Sequence, residues 1–260
     1  MPVEIGPDIY PAVMDARLDL RRYLELLESD TERIAEVCET SDLTAPVASC
    51  PGWTLAALAE HVGEVHRFWH WIVREGVQRV RRDTDVPRSP PPAGPAIGQW
   101  LRNGLGSFIP LLRDGDPGTP LWSWTSQRDL AFIQRRVPQE TAVHRWDAES
   151  VAGSPGPIAS DLATDGIEEF FLLATGGDPT EGRERVRLRA TDVGLAWVAD
   201  IVDGRQVLSG SVGDEAAEAE LVGSASDLLL VLWRRKRPAE VDIYGDPNSV
   251  GQFLDRADLT

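Results

Sequence analysis

Between residues 151 and 157 the chain reads VAGSPGP, and the periodicity of the sequence changes across it. Upstream, long stretches poor in glycine and proline carry apolar residues at helical spacing. Downstream, short alternating segments are separated by glycine-rich turns. Helices first, then strand runs with interspersed helices, specify an α+β protein in which a four-helix bundle is followed by a small mixed domain. The 260 residues suffice for one large domain or two ordinary ones, and the break sets the expected division at 1–155 and 156–260.

In the first part, helices are expected at about 12–39, from Thr54 as N-cap to about Arg82, at about 96–113, and at about 127–150. Pro138 either kinks the last of these or restarts it at a first turn. Pro/Ser-rich stretches, SDLTAPVASCPGW and PRSPPPAGP, connect them. In the second part, a helix at about 158–175 precedes four strand candidates, RVRLRATD, GLAWVADIV, AEAELVGS and AEVDIYGD. SASDLLLVLWRRK has helix composition, and PNSVGQFLDRA closes the chain as a last helix.

Charge removes one class of partner. With 42 acidic against 26 basic residues the net charge is −16, which argues against nucleic acid, because phosphate binding is driven by Lys and Arg releasing counterions. The local exception, WRRKRP at 233–238, reads as a solvated helix end. No apolar run approaches the ~20 residues a membrane span needs, and the start MPVEIGPDIYP lacks the features of a signal peptide. A cytoplasmic protein without a membrane partner is expected. Cys38 and Cys50 are the only cysteines, are expected to be free thiols, and form no Cys-x-x-Cys pair.

Chemistry concentrates in RRVPQETAVHRWDAES, residues 135–150. Glu140 and His144 are four apart and so share a helix face, together with Ile133, Val137 and Val143. On the residues alone this is either a satisfied carboxylate–imidazole pair or two members of a metal set that needs a third ligand. The other histidines, His61, His66 and His70, all lie in the second helix. Grouping His61 with Leu58, Val65, Phe68 and Ile72 turns it inward and leaves His66 and His70 as a surface or rim pair. Adjacent helices of a bundle can then bring His61 to the Glu140–His144 face.

CPGWTLAALAEHVGEVHRFW, followed far downstream by RRVPQETAVHRWDAE, resembles the mycothiol-dependent maleylpyruvate isomerase family. The resemblance runs from about Tyr23 through RATDVGLAW, SASDLLLVLW and VDIYGD. It implies a DinB-like four-helix bundle followed by an SCP2-like domain, and a metal held by His61, Glu140 and His144. It also implies that Arg235 serves the thiol-binding cleft. The chain departs from the family pattern at Pro138 and Gln139, where relatives often read RRMAHE, and at Arg234, where LWRR replaces LWGR.

Two histidines and a glutamate suit Zn²⁺ or another divalent ion and leave a fourth position open, as catalytic sites do. The resemblance implies that a low-molecular-weight thiol, mycothiol, fills it and acts as nucleophile on a small electrophile. Addition, bond rotation and elimination would give cis–trans isomerisation, with Arg235 holding a carboxylate. Without elimination the same apparatus is a thiol S-transferase, and without turnover it is a ligand- or metal-binding protein. No Gly-x-Ser-x-Gly, His-Glu-x-x-His or phosphate-binding glycine loop points to hydrolysis instead.

Overall fold

The computed structural model describes residues 17–80, 89–173, 184–202, 205–210 and 217–257. The parts of the expected helices before residue 17, at 81–82 and at 174–175 lie outside them. The chain divides into two compact units, Asp19–Ile158 and the stretch from Ala159 onward.

The first unit is a bundle of four helices: α1, Leu20–Thr40; α2, Leu55–Glu75; α3, Ala96–Asp114; and α4, Leu130–Val151. Local chemistry sets their ends. Asp19, Thr54 and Asp129 each accept a backbone N–H of the first turn of α1, α2 and α4, a cap worth ~1 kcal/mol. Gly76, at φ 61°, ends α2 in the left-handed conformation that a residue with a Cβ resists. α4 runs without interruption through Pro138, which neither breaks nor restarts it.

α1 packs on α3 and α4, and α2 on α3 and α4. The shared core includes Leu27 and Ile34 of α1, Leu58 and Val62 of α2, Leu101 and Phe108 of α3, and Ile133 and Val137 of α4. Arg102 of α3 ties the bundle's rim together by forking onto Glu32 and Glu39 of α1. Along α4 almost every residue is buried, Arg145 included. The Arg145 guanidinium is paired with Asp30 and Glu149 and donates to the carbonyls of Gly156 and Pro157.

The second unit is α+β. It contains α5, Ser160–Leu173; β1, Val186–Ala190; β2, Leu195–Val202; β3, Arg205–Gly210; β4, Ala219–Gly223; α6, Ala225–Leu232; β5, Asp242–Gly245; and α7, Pro247–Asp255. The sheet order is β3-β2-β1-β4-β5, and the β1–β4 pair is parallel in an otherwise antiparallel sheet. Val186, Leu188 and Ala190 of β1 point into the core, whereas Arg189 pairs across the strands with Glu220. β3 is a strand beyond the four expected. It pairs antiparallel with β2, and the sequence between the two carries Asp203-Gly204, a hairpin signal. α5 packs on α6, and α6 and α7 cover β1 and β4.

α6 ends at Leu232, three residues short of Arg235. The Arg235 N–H returns to the Leu230 carbonyl and the Arg234 N–H to that of Val231. That is a Schellman ending, in which the residue after the cap takes the left-handed conformation and is usually glycine. Here it is Arg234, at φ 59°.

Candidate functional site

α2 and α4 bring His61, Glu140 and His144 together, with one donor atom from each lying within 4.8 Å of the others. His61 Nε2 and Glu140 Oε1 are 3.3 Å apart, and the two imidazole rings meet edge to face at 5.0 Å. Two ligands of a tetrahedral zinc, each ~2.1 Å from it, sit roughly 3.4 Å apart, so the donor set fits a small divalent cation after slight contraction. Burial is graded across the set: the side chains of His144, Glu140 and His61 are 9%, 18% and 35% exposed. Access is therefore from the His61 side. Trp53, from the loop before α2, walls the pair, 4.9 Å from the His61 ring and stacked 6.2 Å from that of His144.

Electrostatics prepares these groups to act as ligands. Burial pushes the Glu140 carboxyl up, but the His61 hydrogen bond, Arg136 and His144 outweigh it and hold the group down at about 2, so Glu140 is ionised. Arg136 supports it directly, with Nε 3.6 Å from Glu140 Oε2. His144 is depressed below the usual imidazole range by burial, against the opposing pull of Asp147, and so is neutral, the form a metal takes.

Behind His144 stands Asp147, fully buried, whose Oδ2 accepts from His144 Nδ1 at 2.9 Å. Ser49 Oγ donates to its Oδ1 at 2.6 Å, and Cys50 Sγ to its Oδ2 at 3.4 Å. Cys50, His144 and Asp147 make a second group whose donor atoms lie within 4.8 Å of one another. Asp147, Trp53 and Arg136 are absent from the residues sequence reasoning selected. The signals for them were present: Asp147 follows His144 by three on one helix face, and Trp53 closes the PGW triplet.

His66 is a correction. It is fully buried, on the stripe Leu55, Leu58, Ala59, Val62, Gly63, His66, Trp69 and Ile72 that faces the bundle. His61 stands at the edge of that stripe. Thr141 spends its hydroxyl proton on the Val137 carbonyl, so His66 Nε2 donates to Thr141 Oγ1 at 2.9 Å. Nδ1 then has no hydrogen-bond partner among the described residues. His70 is half-buried, with its ring 6.0 Å from that of Phe108.

Arg235 belongs to the second unit. It is half-buried, and its Nη1 donates to the Trp233 carbonyl at 2.9 Å. Its neighbour Arg234 reaches α7, donating to the carbonyls of Leu254 and Ala257.

Fold and site together define a two-unit protein whose helical unit holds a cluster capable of coordinating a divalent metal. Residues 24–149 match the family model of the mycothiol maleylpyruvate isomerase N-terminal domain, so the chain has an N-terminal domain similar to that family's. A crystal structure of the mycothiol-dependent maleylpyruvate isomerase shares the fold at TM-score 0.55 and 12% identity, covering 82% of this chain and 88% of that one. A histidine-to-alanine mutant of that enzyme matches at TM-score 0.55 and 11% identity over the same shares. No curated protein matches the chain. Among the described residues no helix is long and apolar enough to cross a membrane.

Proposed function

We propose that the protein is a cytoplasmic, metal-dependent enzyme that uses mycothiol as nucleophile on a small electrophile, in the manner of maleylpyruvate cis–trans isomerisation. The observation that carries this reading is the convergence of His61, Glu140 and His144 within a stretch that matches the isomerase family's N-terminal domain. In this reading residues 1–155 are the metal-binding domain, DinB-like, and 156–260 an SCP2-like partner domain.

His61, Glu140 and His144 hold Zn²⁺ or another divalent ion, which when bound supplies a Lewis acid that keeps a thiol ionised at neutral pH. Glu140 contributes the negative charge, His144 a neutral nitrogen on the buried side, and His61 the nitrogen nearest solvent. Trp53 limits the approach from one side. Arg235 binds a carboxylate of cofactor or substrate through paired hydrogen bonds. With the thiol bound, its sulfur would add to the electrophile's double bond, forming a C–S bond as the π electron pair moves onto the conjugated carbonyl oxygen as an enolate. After rotation about the remaining single bond, return of that pair would expel the thiolate and restore the double bond in the other geometry.

Metal analysis and product analysis test this together. Wild-type protein is expected to hold one equivalent of metal and His61→Ala almost none, while His70→Ala keeps its full load. A full equivalent in His61→Ala would remove the assignment. Mass spectrometry after incubation with mycothiol and a panel of electrophiles then separates the outcomes. Isomer without loss of thiol supports the isomerase, a thioether product makes it an S-transferase, and neither, in metal-loaded protein, leaves a binding protein.

A further inference from the structure

Two donor groups share one imidazole. His61, Glu140 and His144 form one, and Cys50, His144 and Asp147 the other. An imidazole has two nitrogens, and in its neutral form one donates and the other accepts. His144 Nδ1 lies 2.9 Å from Asp147 Oδ2, on a carboxyl group that already accepts from Ser49 and Cys50, so Nδ1 is the nitrogen that donates to it. Nε2 is then the nitrogen with a lone pair to offer.

The surroundings of Asp147 say which group is which. Its side chain is wholly buried, and it receives three donors from two segments of chain: His144 Nδ1 from α4, and Ser49 Oγ and Cys50 Sγ from the loop before α2. Both carboxylate oxygens are engaged, Oδ1 by Ser49 Oγ and Oδ2 by His144 Nδ1 and Cys50 Sγ. That arrangement suits an orienting carboxylate rather than a ligand. The loop also carries Trp53, so the element that grips Asp147 is the one that walls the histidine pair.

We propose that Asp147 is the positioning residue of the candidate metal centre: it fixes His144 with its proton on Nδ1 and turns Nε2 toward His61 and Glu140. Ser49 and Cys50 hold Asp147, and the Cys50–His144–Asp147 group is not a second metal site. The proposal rests on the ligand set stated under Proposed function and deepens it. Orienting partners of this kind are worth about 10- to 100-fold in metal affinity.

Zinc affinity is measured by competition with a chromophoric chelator. Asp147→Ala should bind zinc tens of fold more weakly but still saturate at one equivalent, Asp147→Asn should fall between it and wild type, and Ser49→Ala should lose less than either. Unchanged affinity in Asp147→Ala overturns the proposal. Cobalt(II) loading supplies a second readout: the spectrum should lack a thiolate-to-cobalt charge-transfer band, and a band that disappears in Cys50→Ser would make Cys50 a ligand and overturn it too. A third measurement needs neither a variant nor metal. Nitrogen-15 NMR of the metal-free wild-type protein should show His144 protonated at Nδ1, and protonation at Nε2 overturns the proposal even if Asp147→Ala fails to fold. Wild-type protein that takes up no metal would sink the ligand set instead, with the NMR result still deciding what Asp147 does to His144.

Discussion

His66 is a base that the bundle keeps neutral. Burial drives it from 6.5 to about 4, against the partial pull of Glu140. The folded protein therefore binds this proton less tightly than the unfolded chain does. Stability associated with His66 is complete above pH 6.5, falls as the pH drops toward about 4, and is level below that. The gap amounts to roughly 3 kcal/mol at ~1.4 kcal/mol per pH unit. Urea midpoints of metal-free wild type and His66→Gln, taken from pH 7 to pH 4, should diverge in that window, with wild type losing more. Parallel curves would mean that His66 titrates like an exposed histidine. The carboxylates that also titrate there are common to both proteins and cancel in the difference.

At the scale of elements, a close approach between helices and a strained helix ending bear on stability. α2 and α3 meet at Gly63, where a Cβ would overlap the Trp100 ring. Arg67 also covers that ring, 3.7 Å from its centroid, and donates to the Trp100 carbonyl. Gly63→Ala should therefore destabilise by ~1–3 kcal/mol through overpacking, although alanine is the better helix former. Gly106→Ala, in α3 with open space around the added carbon, should instead gain up to ~1 kcal/mol. Thermal melts that shift the same way for both would refute the packing argument.

The second case is the end of α6. Arg234 bears the left-handed backbone that glycine adopts freely, at a cost of ~1–2 kcal/mol, and offsets it by donating to two carbonyls at the end of α7. Arg234→Ala loses the contacts and keeps the strain, so it should cost ~1–3 kcal/mol. Arg234→Gly loses the same contacts but relieves the backbone, and should melt above the alanine variant. Equal melting temperatures would show that the strain is not felt.

At the scale of the whole molecule, the two units differ in what they carry. Every member of the His61–Glu140–His144 group, together with Asp147, Ser49 and Trp53, falls within Asp19–Ile158. A fragment of those residues is expected to fold, to bind one equivalent of zinc, and to do so with the affinity of the full chain. Circular dichroism and the chelator competition check this, and a fragment that stays folded but loses the metal would show that the centre needs residues outside the unit.

The sequence by itself determined what depends on neighbours along the chain. Thr54 marks the start of α2, whose expected run to about Arg82 stops instead at Gly76; Val186, Leu188 and Ala190 alternate with arginines in β1; and Glu140 and His144 share a face because a helix repeats every 3.6 residues. Each of these follows from hydrogen bonding and side-chain direction within about one turn or one strand. Tertiary structure alone decided which stripe of α2 is core, and so put His66 inside and His61 at the rim. α4 is buried on nearly every side, so its burial has no period for a sequence pattern to reveal. The grip of Ser49 and Cys50 on Asp147 joins residues 98 and 97 positions apart. Such contacts are set by which surfaces meet when helices pack, and no local preference encodes that.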